Sequence, residues 1–409
     1  MTARRIEHSA RSMPVLSALR DRWAQERPLE GVAVAACLPV TAETAVLVLA
    51  LQAAGAAVAL CSSNPLSTQD DVARALHAAG VAVRARRGAS RDDYYAALRG
   101  TLDELADARC GVLLDDGCDL LSTLHDERAD LLAAVPLAAS EQTASGALRL
   151  RRLAAEGLLR LPVVAVDGSR VRRVVDTRWG SGQATVDALL RGSGLLIAGK
   201  TAVVAGYGDV GRAVATRLRG MGAHVVVTEV DPVAALEAVL EGHRVLPMAD
   251  AVREADLVVT ATGGIGVVAA EHVPLLRDGV VLVNAGHFDV EVDVAAVAAA
   301  GTRLPRVRPS LDTWQLPDGR RVSVLAEGRV AGLAAAEGSP PEAMDVAFAL
   351  QALVVRWLVE QHPERAAVLP VPPELDARVA ELALAALSVR VDVLSEEQRA
   401  YLSSWRSGS

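Results

Sequence analysis

The sequence predicts an α/β protein made of two doubly wound parallel-sheet domains joined by a hinge, and three observations carry that prediction. Short β-branched runs alternate with amphipathic stretches from residue 32 to about 135. A second alternating series begins at "KTAVVAGYGDVG" and runs to about residue 335. Between them, "VVDTRWGSGQATVDALLRGSGLLIAGK" carries Gly and Ser around a helical run, the pattern of a hinge with a connecting helix.

In the first series, "VAVAAC", "AAVALC", "VAVRAR" and "GVLLDD" read as strands, with "TAETAVLVLALQAAG", "STQDDVARALHAAG" and "SRDDYYAALRGTL" as the intervening helices. Thr41, Ser67 and Ser90 occupy the N-cap positions. In open parallel sheets ligands collect beyond the carboxyl ends of the strands. There, "CLPVTAE", "CSSNPLSTQ" and "DDGCD" bring polar groups from three successive strands, which we read as one pocket. After "AEGRVAGLAAAEGSPPEAMDVAFALQALVV" the pattern turns helical again, and this helix is expected to pack back on the first domain.

The 409 residues are 51% hydrophobic and 22% charged with a net charge of −8, enough for two or three cores. The acidic balance gives no electrostatic reason to expect nucleic acid or an anionic membrane as partner, and small-molecule chemistry is the better expectation. The first twenty residues lack an apolar segment with a cleavage site, and apolar stretches elsewhere are interrupted before spanning length, so a cytoplasmic location is expected. Cys37, Cys61, Cys110 and Cys118 form no C-x-x-C pair; neither a metal site nor a disulfide frame is expected. Of the 42 basic residues only Lys200 is a lysine.

Gly206, Gly208 and Gly211 form G-x-G-x-x-G between a strand and a helix, and with the enclosed Asp209 and Val210 they are the candidate cofactor-binding loop. This spacing permits a tight turn, close approach of backbone to a pyrophosphate and close helix packing. Glu229 ends the next strand, where a carboxylate takes both hydroxyls of an adenosine ribose and repels a 2′-phosphate, which favours NAD over NADP. The second series is therefore a Rossmann domain, with packing-only glycines as the competing reading. Downstream, "VTATGG" with Thr260 and Thr262, and "VNAGHFD" with Asn284 and His287, end the strands of the half where a nicotinamide would lie. We assign residues 185–335 to this domain, 1–177 and 338–388 to a discontinuous substrate-binding domain, and 389–409 to a short polar C-terminal segment.

With these pieces placed, the order of motifs resembles the S-adenosyl-L-homocysteine hydrolase family. "VAGYGDVGRA", "TEVDP", "GHFDVEVDV", "LAEGR" and "STQD" are similar to its signature segments, and the likeness spans "MPVLSALRDRW" to "LSEEQRAYL". The resemblance implies a substrate domain formed by both chain ends and a hinge that closes over an adenine nucleoside. Family members use tightly held NAD to oxidise the 3′-hydroxyl; the ketone acidifies the 4′-hydrogen, a 5′-substituent is eliminated, water adds, and the ketone is reduced back. It further implies that Thr41 and Glu43 recognise adenine, sandwiched by Leu38, Leu333, Met344 and Phe348. Asp116 matches the carboxylate near C4′ and C5′, Asp176 one that orders the ribose hydroxyls, and His287 the active-site histidine. Thr143 and Ser145 fit a run of three cofactor-touching threonines whose middle member is Ala144 here, and Asn284 follows the family as well.

The departures cluster around the sugar. Pro39 and Ser339 stand where the family has histidines, Gln142 where it has a glutamate, Thr177 and Gly332 where it has asparagines, and Ser181 where it has a cysteine. Arg172 replaces a lysine proposed as base, and a guanidinium stays protonated to about pH 12 and above. The family's C-terminal lysine and tyrosine, which reach a neighbouring subunit's cofactor, have no counterpart in "YLSSWRSGS", so homo-oligomerisation is expected without that contact. The favoured expectation is a nucleoside dehydratase of nucleoside-antibiotic type, forming a 4′,5′-unsaturated sugar as in angustmycin A. Here Asp116 or His287 supplies the proton, and the small residues Ser181, Gly332 and Ser339 make room for an extra sugar substituent near Arg172. A divergent S-adenosylhomocysteine hydrolase and an inactive NAD-binding scaffold are the alternatives.

Overall fold

A computed structural model describes residues 2–406. The first sheet has seven strands, all parallel: β1 (Val32–Leu38), β2 (Ala57–Ser62), β3 (Ala82–Arg84), β4 (Cys110–Asp115), β5 (Leu137–Glu141), β6 (Val163–Ala165) and, from the far end of the chain, β15 (Val368–Pro370). Their order is β15-β6-β5-β4-β1-β2-β3. β1 is buried along its whole length, which is why it reads as an unbroken apolar run and not as an alternation. The helix Pro341–Gln361 does return to this unit: Val346, Phe348, Leu350 and Val354 join the core formed by Trp23, Leu47 and Val112.

The second sheet contains β7 (Thr201–Ala205), β8 (His224–Thr228), β9 (Arg244–Val245), β10 (Leu257–Thr260), β11 (Val280–Asn284), β12 (Thr302–Arg303), β13 (Leu311–Gln315) and β14 (Arg321–Leu325), ordered β12-β13-β14-β11-β10-β7-β8-β9. It is parallel-rich but not purely parallel: β13 pairs antiparallel with both β12 and β14. The turn "LPDGR" (316–320) joins β13 to β14 as a hairpin, with Leu316 N–H donating to Arg320 O at 2.8 Å.

Strand order reverses between β1 and β4 in the first sheet and between β7 and β10 in the second, the crevices where parallel sheets admit ligands. Two helical segments connect the sheets. Arg173–Ser181 is wound wide, in the π-helical manner, and runs into the regular helix Gly182–Ser193. Wide turns of this kind displace side chains from helical register and recur at functional sites; Asp176 is buried within this one. Across the joint, Arg173 Nε pairs with Asp209 Oδ2 at 2.7 Å, and Arg217 donates to the carbonyls of Arg178 and Trp179 at 3.0 and 2.8 Å.

Of the expected caps, Thr41 accepts from Thr44 N–H at 3.4 Å, and Ser90 forms a reciprocal capping box with Asp93. Ser67 does not cap. Its helix starts at Asp70, and Pro65 forces a separate short turn, Pro65–Ser67, which Asn64 caps instead. No helix among the described residues is long and apolar enough to cross a membrane.

Candidate active site

The loops at the β1/β4 crevice and the connecting helices enclose a cavity of ≈ 170 Å³. Leu38, Thr41, Glu43, Leu333, Met344 and Phe348, drawn from three distant segments, all line it. Thr41 is placed there because it caps the helix Ala42–Ala53, which in turn sets Glu43 in the first turn facing the crevice. Ser9, buried on the helix Thr2–Arg11, donates to Glu43 Oε1 at 2.7 Å. This orients the carboxylate as an acceptor, a contact the sequence reading missed because a lone serine near the N-terminus carries no pattern.

The same cavity is lined by Asp116, Gln142, Arg172, Asp176, Ser181, His287 and Ser339. Asp116 follows β4 and accepts from Ser63 Oγ at 2.9 Å. Asp176 is 5% exposed; Ser339 Oγ donates to its Oδ1 at 3.2 Å, and Arg172 Nε lies 3.3 Å from its Oδ2. Burial pushes the Asp176 carboxyl above the ordinary carboxylate range, with Arg172 and Ser339 opposing that rise. Gln142 Oε1 is buried without a hydrogen-bond partner among the described residues. An acceptor left open in the cavity wall suits a ligand that carries a hydroxyl.

Some candidates are placed differently. Thr177 is absent from the cavity lining, half-buried on the wide helical run. Gly332 does not open space for a larger sugar: a Cβ there would sit 2.9 Å from Ala184 Cβ, so the neighbouring helix fills the vacated volume. Ser339 spends its hydroxyl on Asp176.

A second cavity, ≈ 860 Å³, lies at the β7/β10 crevice and is lined by Gly206, Gly208, Glu229 and Thr262, with Val245, Leu246 and Met248 as an apolar wall. Gly206 has φ +89, and a Cβ on it would fall 2.7 Å from Ala261 O; a Cβ on Gly211 would fall 1.9 Å from Gly206 O. Only glycine closes this turn. At Gly208 the space is open, so its backbone can approach a phosphate. Glu229 accepts from the amides of Tyr207, Val230 and Asp231 at 2.6, 2.6 and 3.0 Å, which fixes it at the lip of the cavity. The loop and the acid fit NAD.

Other cofactor candidates act from behind. Asp209 gives its carboxylate to Arg173, and Val210 packs on the domain core. Thr260 and Asn284 are fully buried: Thr260 Oγ1 donates to Asn284 Oδ1 at 3.2 Å, and Asn284 Nδ2 donates to Phe288 O and Gly328 O at 2.7 and 2.9 Å. They staple the loop that carries His287. Thr143 and Ser145 line neither cavity; they stand at the end of β5, beside Gln142, where Thr143 caps the helix Ala144–Ala155.

Models of two family segments match the chain: "S-adenosyl-L-homocysteine hydrolase" over residues 1–136 and "S-adenosyl-L-homocysteine hydrolase, NAD binding domain" over 177–338. An adenosylhomocysteinase of Aeropyrum pernix is 48% identical over 402 residues, covering 98% of this chain and 95% of that protein. The chain belongs to the S-adenosyl-L-homocysteine hydrolase family. The adenosylhomocysteinase of Saccharolobus solfataricus is 44% identical over 407 residues (99% and 96% covered), and an S-inosyl-L-homocysteine hydrolase of Methanopyrus kandleri is 44% identical over 406 (99% and 95%). As a member of this family the protein is an enzyme with an NAD-binding domain and a nucleoside substrate.

Proposed function

We propose that the protein eliminates the 5′-substituent of an adenine nucleoside after transient oxidation at C3′. The observation that carries this reading is that the base-recognition pair Thr41 and Glu43 shares one cavity with Asp116, Asp176 and His287. Glu43, oriented by Ser9, offers an acceptor to an N–H of the base. NAD, when bound, supplies a reversible hydride acceptor for the sugar carbon. Asp176 is the group suited to take the 3′-hydroxyl proton: burial raises its proton affinity, and Arg172 holds it in place without accepting a proton itself. Asp116 and His287 are the groups available to move the protons at C4′ and at the departing 5′-atom.

Two leaving groups compete. The printed names of the relatives favour homocysteine, which makes the protein a divergent S-adenosylhomocysteine hydrolase. The sugar side of the cavity is the ground for water and a dehydratase: Pro39, Gln142, Arg172 and Ser339 stand where the resemblance places proton-active groups, while Asp116 and His287 remain in the same lining as acids for a departing hydroxide. Hydroxide, whose conjugate acid has a pKa of about 15.7, needs an acid beside it far more than a thiolate whose thiol titrates at about 8.5. Incubation with adenosine and homocysteine, and separately with adenine nucleosides bearing a free 5′-hydroxyl, followed by product mass, separates the two. Absence of any reduced-nicotinamide absorbance with every nucleoside overturns both.

A further inference from the structure

The carboxyl of Glu141 is fully shielded from solvent next to the loops just described, and the chemistry proposed above does not use it. It ends β5 directly opposite Asp115 of β4. All of its hydrogen bonds fall on Oε1, which accepts from Gly117 N–H at 3.0 Å, Thr143 N–H at 2.8 Å and Thr143 Oγ1 at 2.8 Å. Oε2 is buried without a partner among the described residues. The carboxyl rests on Gly146, where a Cβ would lie 2.3 Å from its Cδ.

The turn it holds is under strain from two sides. Gly117 has φ +109 and Cys118 φ +70, the latter uncommon for a residue with a side chain. A Cβ on Gly117 would lie 2.4 Å from His287 Nε2, so the turn presses directly against the histidine of the other domain. Arg149 Nη1 fixes the far side of the turn by donating to Gly117 O at 2.5 Å.

We propose that Glu141 is a positioning residue: one carboxyl oxygen ties the turn that carries Asp116 to Thr143, and so sets Asp116, His287 and the hydroxyls of Thr143 and Ser145 in a single frame. Its surroundings disfavour the charged form. Burial, then the adjacent Asp115, raises its pKa well above the carboxylate range, and Asp116 adds to the rise, opposed only by the amides of Gly117 and Thr143.

The activity arm of the test rests on the nucleoside reading; the NAD-affinity arm does not. Glu141→Gln keeps a carbonyl oxygen where Oε1 stands, and it is expected to stay within about threefold of the parent in kcat, nucleoside KM and calorimetric NAD affinity. Glu141→Ala is expected to slow the rise of reduced-nicotinamide absorbance with adenosine by about 30-fold and to weaken NAD by about tenfold, while nucleoside KM, set by Thr41 and Glu43, moves less than about threefold. Glu141→Met, which fills a similar volume without an acceptor, is expected to fall with the Ala variant and not with the Gln variant, an outcome that a merely space-filling role would not produce. A Gln variant as impaired as the Ala variant, or an Ala variant equal to the parent in rate and NAD affinity, overturns the proposal. If the parent itself gives no absorbance change with any nucleoside, the nucleoside reading fails, and the NAD affinities of the two variants still decide the role of Glu141.

Discussion

The two sides of the cleft carry the same device with different hydrogen bonding. On the cofactor side, Glu291 is 1% exposed and its Oε2 accepts from Thr262 N–H and Thr262 Oγ1 at 3.0 and 2.9 Å, while its Oε1 accepts from Gly263 N–H at 2.9 Å. Like Glu141, it staples a threonine and an adjacent turn and is seated on a glycine, Gly286. The difference is in the oxygens. Glu291 has both satisfied by donors, so an amide in its place would aim N–H at N–H. Glu141 loads one oxygen, leaves the other free and faces a second buried acid. A buried carboxylate is tolerated where donors surround it and is neutralised where they do not. Burial and the neighbouring Asp115 therefore push the substrate-side carboxyl toward its neutral form, and the cofactor-side staple works through both oxygens.

The sharpest way to break this contrast is to titrate it. Burial raises the Asp115 carboxyl to about 7, so the stability associated with its neutral form is fully present below the unfolded value of about 4 and is lost as pH rises through 7. Both Asp115 oxygens accept from backbone amides, Asp116 N–H at 2.9 Å and Leu121 N–H at 2.8 Å, so the reference is the non-titrating Asp115→Ala: the stability of the parent relative to it is expected to fall by about 2–4 kcal/mol between about pH 4 and pH 8, measured by denaturant titration. A flat difference means no proton resides on this sheet edge. Next in size, Glu291→Gln is expected to cost about 2 kcal/mol of NAD binding, roughly a 30-fold rise in Kd by calorimetry. If it proves as benign as Glu141→Gln, the two staples are equivalent. Gly117→Ala, which forces a side chain toward His287 at positive φ, is expected to lower stability by about 1–3 kcal/mol and to depress kcat while leaving nucleoside affinity largely intact. The smallest effect is expected at the joint between the sheets: Arg173→Ala removes an exposed ion pair with Asp209 and should change stability by less than about 1 kcal/mol in a melting experiment.

Much of this arrangement is legible in the chain. Strands buried on both faces read as apolar runs, and the glycine loop with Glu229 in register specified the cofactor crevice. The residues that the family likeness assigns to base recognition, scattered from Leu38 to Phe348, line one cavity. What was not legible depends on contacts between distant residues. Nothing local tells that Thr260 and Asn284 face inward, or that Ala184 fills the place beside Gly332. The antiparallel hairpin of β13 and β14 departs from the parallel series that the alternation predicts, although "PDG" between two β-rich runs is a usable turn signal. Glu141 and Glu291 stood in the open in "SEQT" and "DVEVD", but an acid beside a strand end reads as solvated until burial is known.

The first sheet is finished by β15, which pairs with β6 only after some two hundred intervening residues. During synthesis the edge of β6 therefore emerges long before its partner exists, while the complete nucleotide-binding unit is made in the interval. The order of birth and the order of completion are inverted: the unit begun first is sealed last, and until β15 arrives β6 offers unpaired amides and carbonyls to any passing strand.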